Sequence, residues 1–185
     1  FKAVAEGRIK ALWIMATIPV VSMPDASAVE AALKACPFVV VSDMYATTDT
    51  AKFAHVLLPS LGWGEKDGTV TNSERRISRQ RGYLPAPGEA KADWWQMAQV
   101  GQRMGFAQAF DYAGPADIFA EHARLSAFEN NGNRDFDIGA CAGMDETGYG
   151  ELEPFQWPQP NGRARQELRF FADGGFYHTD RKARF

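Results

Sequence analysis

The sequence predicts an α/β fold: a Rossmann-like parallel sheet with flanking helices, followed by an irregular segment with a β-hairpin. Three observations carry that expectation. Residues 10–15 (KALWIM), a helical stretch from Pro24 to Cys36, and residues 38–41 (FVVV) follow one another as strand, helix and strand; such a unit sets its two strands parallel with a right-handed crossover. The FVVV run is β-branched without polar alternation, as in strands covered on both faces. Near the end, Asp173-Gly174-Gly175 separates two strand-like runs at 167–171 and 176–179, which signals a hairpin.

The first strand has the length of a buried strand, and Thr17 to Pro19 ends it. Pro24 and Asp25 open the helix, in which Val29, Ala32, Leu33 and Cys36 recur at helical spacing. Ser42 and Asp43 then close the second strand, as Thr17 closes the first. Ligands of open α/β sheets bind at that carboxyl edge. An acid there accepts hydrogen bonds from ribose hydroxyls or from the N–H edge of a guanine. The same pair also suits a helix cap, since Thr47, Thr48 and Asp49 announce a short helix through Ala54.

Residues 55–58 read as a third, buried strand, and the loop that leaves it is the most charged stretch near the sheet. Pro59 breaks the strand, Gly62, Gly64 and Gly68 let backbone approach a ligand closely, and Glu65, Lys66 and Asp67 sit among them. Asn72, Glu74, Arg75 and Arg76 follow in a turn between extended segments at 69–71 and 77–80. Such a cluster just past a strand end reads as a site. GWGEKDG is not a dinucleotide fingerprint, because its glycines are misspaced and no helix follows directly.

Asp93 begins a helix through Trp94, Met97, Val100 and Met104 to Gly105. Its carboxylate suits an N-cap or first-turn acid, worth about 1 kcal/mol. It equally suits the two adjacent N–H groups of a guanine. Trp94 and Trp95 read as packing this helix onto the sheet. Gly114 and Pro115 open another helix over 116–128, with Ile118, Phe119, His122 and Leu125 on one face. Beyond Asn130 the composition turns loop-rich, with one short helix within 144–152 and a proline-rich stretch after it. The expected division is therefore an α/β domain over 1–130 and a connector over 131–185.

Composition narrows the function. With 185 residues, 45% hydrophobic and 23% charged, the chain is long enough for one domain with a core. A net charge of −3 argues against nucleic acid as a partner, and no apolar run reaches the length that crosses a membrane. The arginines at 75, 76, 79 and 81 are balanced by Glu65, Asp67 and Glu74. Cys36 and Cys141 stand alone, outside any CxxC pair, and read as packing residues. His55, His122 and His178 are too scattered for a metal cluster, so no metal ligands are expected in this chain. Starting at Phe1 and ending straight after a strand-like run, the chain reads as a piece of a longer polypeptide.

The wording WGEKDGTVTNSERRISRQR at 63–81, with PGEAKADWW at 87–95, resembles the catalytic subunit of assimilatory nitrate reductases. These are molybdenum enzymes that hold their metal between two molybdopterin guanine dinucleotides. The likeness runs from about Gly7 to the C-terminus. It implies an α/β domain that holds the nucleotide tail of one cofactor of the bis-molybdopterin guanine dinucleotide. By similarity, Ser42 and Asp43 match positions that contact the nucleotide, Lys66 matches the lysine of the WxEK motif, and Asp93 matches the acid of the PGEAKxD motif.

The resemblance further implies nitrate as substrate, reduced to nitrite in the cytoplasm, and an electron-donor protein or domain. A [4Fe-4S] cluster would belong to the parent protein but not to this fragment, which alone is expected to be inactive. One departure stands out: the family usually reads TNP after the first strand, with the Asn touching the cofactor, where this chain reads Thr17-Ile18-Pro19. Two other readings are the same cofactor domain in a related enzyme such as formate dehydrogenase, and a stand-alone nucleotide-binding or interaction module without redox activity.

Overall fold

The computed structural model describes residues 1–162, 169–172, 174–176 and 178–185. They fall into two compact units, Phe1–Asp67 with Gln80–Tyr112, and Gly68–Arg79 with Ala113–Phe185.

In the first unit a short helix α1 (Lys2–Ala5) precedes strand β1 (Ala11–Met15). A further turn of helix, α2 (Pro19–Ser22), was not legible in the sequence; Pro19 sits at its first position, where a fixed φ and a missing N–H cost nothing. Helix α3 (Ala26–Ala35) starts at Asp25, whose carboxylate accepts the Ala28 N–H at 3.2 Å. Strands β2 (Phe38–Asp43) and β3 (Val56–Pro59) complete a parallel sheet of order β1-β2-β3. The register sets Met15 beside Ser42 and Asp43 beside Pro59, which brings the three carboxyl ends level. Val39, Val41 and Ile14 share one buried cluster with Val29, Ala32 and Leu33 of α3 and with Cys36. Burying one such aliphatic side chain contributes roughly 1.5–3 kcal/mol.

Three expectations need correction here. The sheet is not covered on both faces: Phe38, Val56 and Leu57 are 45, 39 and 36% exposed, and β3 lies at the end of the strand order. A run of β-branched residues reports its need for cover and not which element supplies it. The short helix expected from Thr47 is only a 3-10 turn, Ala51–Phe53. Helix α4 (Asp93–Gly101) buries Gln96, Ala98 and Gly101, while Trp95, Met97 and Val100 are exposed. Trp95 is therefore only partly covered; the Lys91 ammonium lies 5.6 Å from its ring centre. Beyond Gly101 the helix widens into one π turn, Gln102–Phe106, broken at Gly105 with φ 98°.

The second unit carries a small sheet of order β4-β5-β6. Strands β4 (Gly68–Thr71) and β5 (Arg76–Gln80) flank the expected charged turn, and β6 (Phe155–Gln156) pairs antiparallel with β5 through Ile77 and Phe155. Helices α5 (Pro115–Ala127) and α6 (Glu146–Gly150) pack with this sheet around Ile77, Phe119, Ile138, Tyr149 and Phe155. The buried face of α5 is Ala116, Phe119, Ala120 and Ala123, while Leu125 is 61% exposed. Of the apolar face read from the sequence, Phe119 alone is fully buried, because the alanines pack closest. The C-terminal hairpin includes residues 167, 168, 173 and 177, which lie outside the described residues.

Within the β4–β5 turn, the Asn72 side-chain oxygen accepts the N–H groups of Glu74 and Arg76 at 3.1 and 2.9 Å. The Arg76 guanidinium reaches Glu74 at 2.8 Å and, with Asn72, holds that carboxyl below its ordinary 4.5. An acid with a lowered value supports the fold above its unfolded value, and that support is lost as the pH falls through the lowered one. Glu74→Gln should therefore lower Tm slightly at pH 7 and have no effect at a pH well below 4.5. A Tm difference that ignores pH would assign the effect to something other than this charge.

Candidate functional site

The level carboxyl ends of the sheet open into a cleft of about 280 Å³ lined by Thr17, Ser42, Asp43, Lys66 and Asp93, among others. All four site residues predicted from sequence are thus brought together within the first unit. Thr17 follows β1, Ser42 and Asp43 end β2, Lys66 follows a 3-10 turn over Trp63–Glu65, and Asp93 is the first residue of α4.

Asp43 has work within the chain as well. One of its oxygens accepts the Tyr45 N–H at 3.1 Å, and the other accepts the Thr48 hydroxyl at 2.9 Å. Thr48 in turn accepts the Ala51 N–H at 3.2 Å, so capping falls to Thr48 and Asp43 braces it. A carboxylate offers about four acceptor positions, and these bonds leave some of them for a ligand.

Lys66 and Asp93 form an ion pair at 3.3 Å, with side chains 31 and 25% exposed. The N-cap of α4 is Ala92, and no side chain caps it. Of the two roles open for Asp93, the capping bond is not made; its carboxylate meets the ammonium instead. Partly hydrated pairs of this kind contribute at most about 1 kcal/mol, so the pair can open toward a ligand cheaply.

The loop that carries Lys66 is held by its own neighbours. Gln80 donates to the carbonyls of Trp63 and Lys66 at 2.6 and 3.4 Å, and Glu65 accepts the Gly62 N–H at 2.7 Å. The carbonyl of Gly64 receives the N–H groups of Tyr83 and Leu84, and a Cβ on Gly64 would lie 2.9 Å from the Tyr83 ring. This glycine admits a neighbouring segment, where the sequence suggested a ligand. Asn72, Glu74 and Arg76 serve the β4–β5 turn, and the Arg75 and Arg79 guanidinium groups lie over the rings of Phe170 and Tyr149 at 3.6 and 3.8 Å. Of the charged stretch, Lys66 alone lines the cleft.

Gln96 was missed by sequence reading. It is 6% exposed, one turn after Asp93, and its amide reaches Ser42, Ser60 and two backbone carbonyls. The available signal was its spacing: three residues after Asp93 on a helix, it shares that residue's face. Ile18 is 37% exposed and also lines the cleft, so the departure from TNP falls on the site itself. Among the described residues no group of three His, Cys, Asp or Glu side chains is arranged to hold a metal ion, and Cys36 and Cys141 form no disulfide and are buried in separate clusters.

Comparison with known proteins adds a family. Residues 1–103 match the family model described as molybdopterin oxidoreductase. A nitrate reductase of Klebsiella oxytoca is 51% identical over 184 residues, covering 100% of this chain and 21% of the relative. An F420-dependent formate dehydrogenase alpha subunit of Methanocaldococcus jannaschii is 46% identical over 118 residues, covering 64% of this chain and 17% of the relative. The chain therefore spans about a fifth of the length of the curated relatives it matches. Among solved structures, acetylene hydratase from Pelobacter acetylenicus superposes with a TM-score of 0.62 at 19% identity, over 86% of this chain and 20% of that one, a likeness of fold.

Proposed function

From the premise that the chain belongs to the molybdopterin oxidoreductase family, we propose that it is part of a nitrate reductase and that its cleft grips the guanine dinucleotide tail of the molybdenum cofactor. The observation that carries this reading is the convergence of Ser42, Asp43, Lys66 and Asp93, from two strand ends, a loop and a helix start, on one cleft. The chemistry of the cleft suits such a tail. Asp43 and Asp93 accept hydrogen bonds from ribose hydroxyls or guanine N–H groups, and Lys66 offers a cation to a phosphate.

When bound, the cofactor supplies the molybdenum at which nitrate gives up one oxygen atom and two electrons are consumed. This chain's own residues bind and orient the tail. We place the [4Fe-4S] cluster and the contacts to an electron-donor protein or domain in other parts of the parent, since Cys36 and Cys141 are buried in two different clusters. Residues 1–130 are the proposed cofactor domain. A cytoplasmic enzyme is proposed as well; no described helix is long and apolar enough to cross a membrane.

Nitrate is favoured over formate because, over the whole chain, the K. oxytoca nitrate reductase is 51% identical, while a putative formate dehydrogenase of Bacillus subtilis is 34% identical over 99% of it. The test is to purify the full-length protein, measure molybdenum and the GMP released by acid, and assay oxidation of a reduced viologen by nitrate. Bound molybdenum without GMP would reject the guanine dinucleotide tail, and formate oxidation without nitrate reduction would move the protein to the other reading.

Ile18 gives this reading a second handle. Replacing it with the family's Asn adds a hydrogen-bonding side chain to the cleft wall, a net gain of about 0.5–1.5 kcal/mol. Ile18→Asn should raise molybdenum retention on prolonged dialysis two- to tenfold by the same arithmetic. Unchanged retention would mean that Thr17 already makes the contact.

A further inference from the structure

The loop that follows α5 is tied across its own base. The Asn130 side-chain oxygen accepts the Arg134 N–H at 3.2 Å, and its amide nitrogen donates to the Arg134 carbonyl at 3.2 Å and to Asp137 Oδ2 at 3.3 Å. The Arg134 guanidinium reaches back to the Phe128 carbonyl. Asn131, Gly132 and Asn133 are thereby looped out, and all are exposed. Among the described residues, neither the Asn131 side chain nor the Gly132 N–H has a hydrogen-bond partner. A Cβ placed on Gly132 would meet nothing within 4 Å, and its φ of 83° is one that a side chain would strain.

The amide carbon of an asparagine is open to attack by the backbone nitrogen of the next residue when that nitrogen is unshielded and unbonded. We propose that Asn131 is a site of spontaneous deamidation, and that the isoaspartate it forms opens the loop tied by Asn130 and Arg134. The Gly132 nitrogen gives its proton to water and bonds to Asn131 Cγ; the Cγ–Nδ2 bond breaks and ammonia leaves. Water then opens the cyclic imide at either carbonyl. Opening at Cγ gives aspartate, and opening at the backbone carbonyl leaves the main chain running through Cγ as isoaspartate. Both products exchange a neutral amide for a carboxylate, and the second also lengthens the main chain by one methylene. That added carbon changes the span between Asn130 and Arg134, whose paired hydrogen bonds need both ends in register.

The same geometry protects the other asparagines of the loop. Both polar ends of the Asn130 amide are engaged, and the nitrogen that would attack Asn133, that of Arg134, already donates to Asn130. The Asn-Gly pair recurs at Asn161–Gly162, also exposed; Asn131 is singled out by the tied loop around it.

The test ages the full-length protein at mildly alkaline pH. Trypsin releases residues 125–134, which hold Asn130, Asn131 and Asn133 in one peptide. Mass spectrometry should find conversion at Asn131 ahead of the other two, at a rate within about tenfold of the free peptide, as for a segment without local protection. Endoproteinase Asp-N separates the products, because it cleaves before aspartate and not before isoaspartate. Asn131→Gln should lose the reaction, since its longer side chain closes the ring poorly. Hydrogen exchange at the Arg134 amide should be about two- to tenfold faster in the isoaspartate form, the scale of one lost hydrogen bond, and unchanged in aged Asn131→Gln. Conversion of Asn130 or Asn133 as fast as Asn131, or a folded-state rate far below that of the free peptide, would overturn the site. Isoaspartate formed without faster exchange at Arg134 would overturn the loop opening.

Discussion

Asp93→Ala in the full-length protein is expected to lose its cofactor roughly ten- to a hundredfold more readily than the wild type. A charge-assisted hydrogen bond to a buried ligand group contributes about 1.5–3 kcal/mol, and Asp93 stands in the cleft with its carboxylate free of any capping duty. The Lys66 ammonium is its partner at 3.3 Å, and both side chains keep a quarter or more of their surface in water. Removing the acid should therefore lower stability by no more than about 1 kcal/mol. Binding and stability separate cleanly in this variant.

The measurement is molybdenum per protein after extended dialysis, beside the Tm of the cofactor-free form. Asp93→Asn should fall between, since it keeps an acceptor and gives up the charge. Lys66→Ala should also weaken retention, by less, because an ammonium is a point charge without fixed geometry. Normal molybdenum with only a lowered Tm would return Asp93 to the role of a first-turn acid.

Leu33→Ala should cost about 2–5 kcal/mol by the loss of transfer free energy and the cavity left behind. Leu33 is 1% exposed and lies in the cluster that joins α3 to β1 and β2. Hydrogen exchange at the β2 amides reports this locally in the full-length protein, where global unfolding need not be two-state. Exchange there should accelerate by well over tenfold. An unchanged rate would mean that the crossover helix does not hold the sheet together.

Local and periodic features were legible before any coordinates. The β1–α3–β2 unit, the parallel third strand, the turn at 72–76 and the start of α4 at Asp93 all follow from residue type and spacing. So does the gathering of Thr17, Asp43 and Lys66 at one rim, since parallel strands in one sheet must end on the same edge; Asp93, at a helix start, was carried there by the family resemblance. The faces of helices were read less well. Large side chains were assigned to the buried side of α5, yet its alanines are buried and Leu125 is exposed. Hydrophobicity states what a residue prefers, and neighbours decide whether the preference is met.

By itself, then, the sequence determined the order of elements, the edge on which the site lies and the residues that reach it. Those depend on backbone propensity and on chain direction, which are local. Only the tertiary structure decided what each residue does there. It gave the capping to Thr48 and left Asp93 to Lys66, used Gly64 to admit Tyr83, paired β5 with the distant β6, and closed Gln96 over Ser42. Hydrogen-bond partners far apart in the chain are chosen by packing.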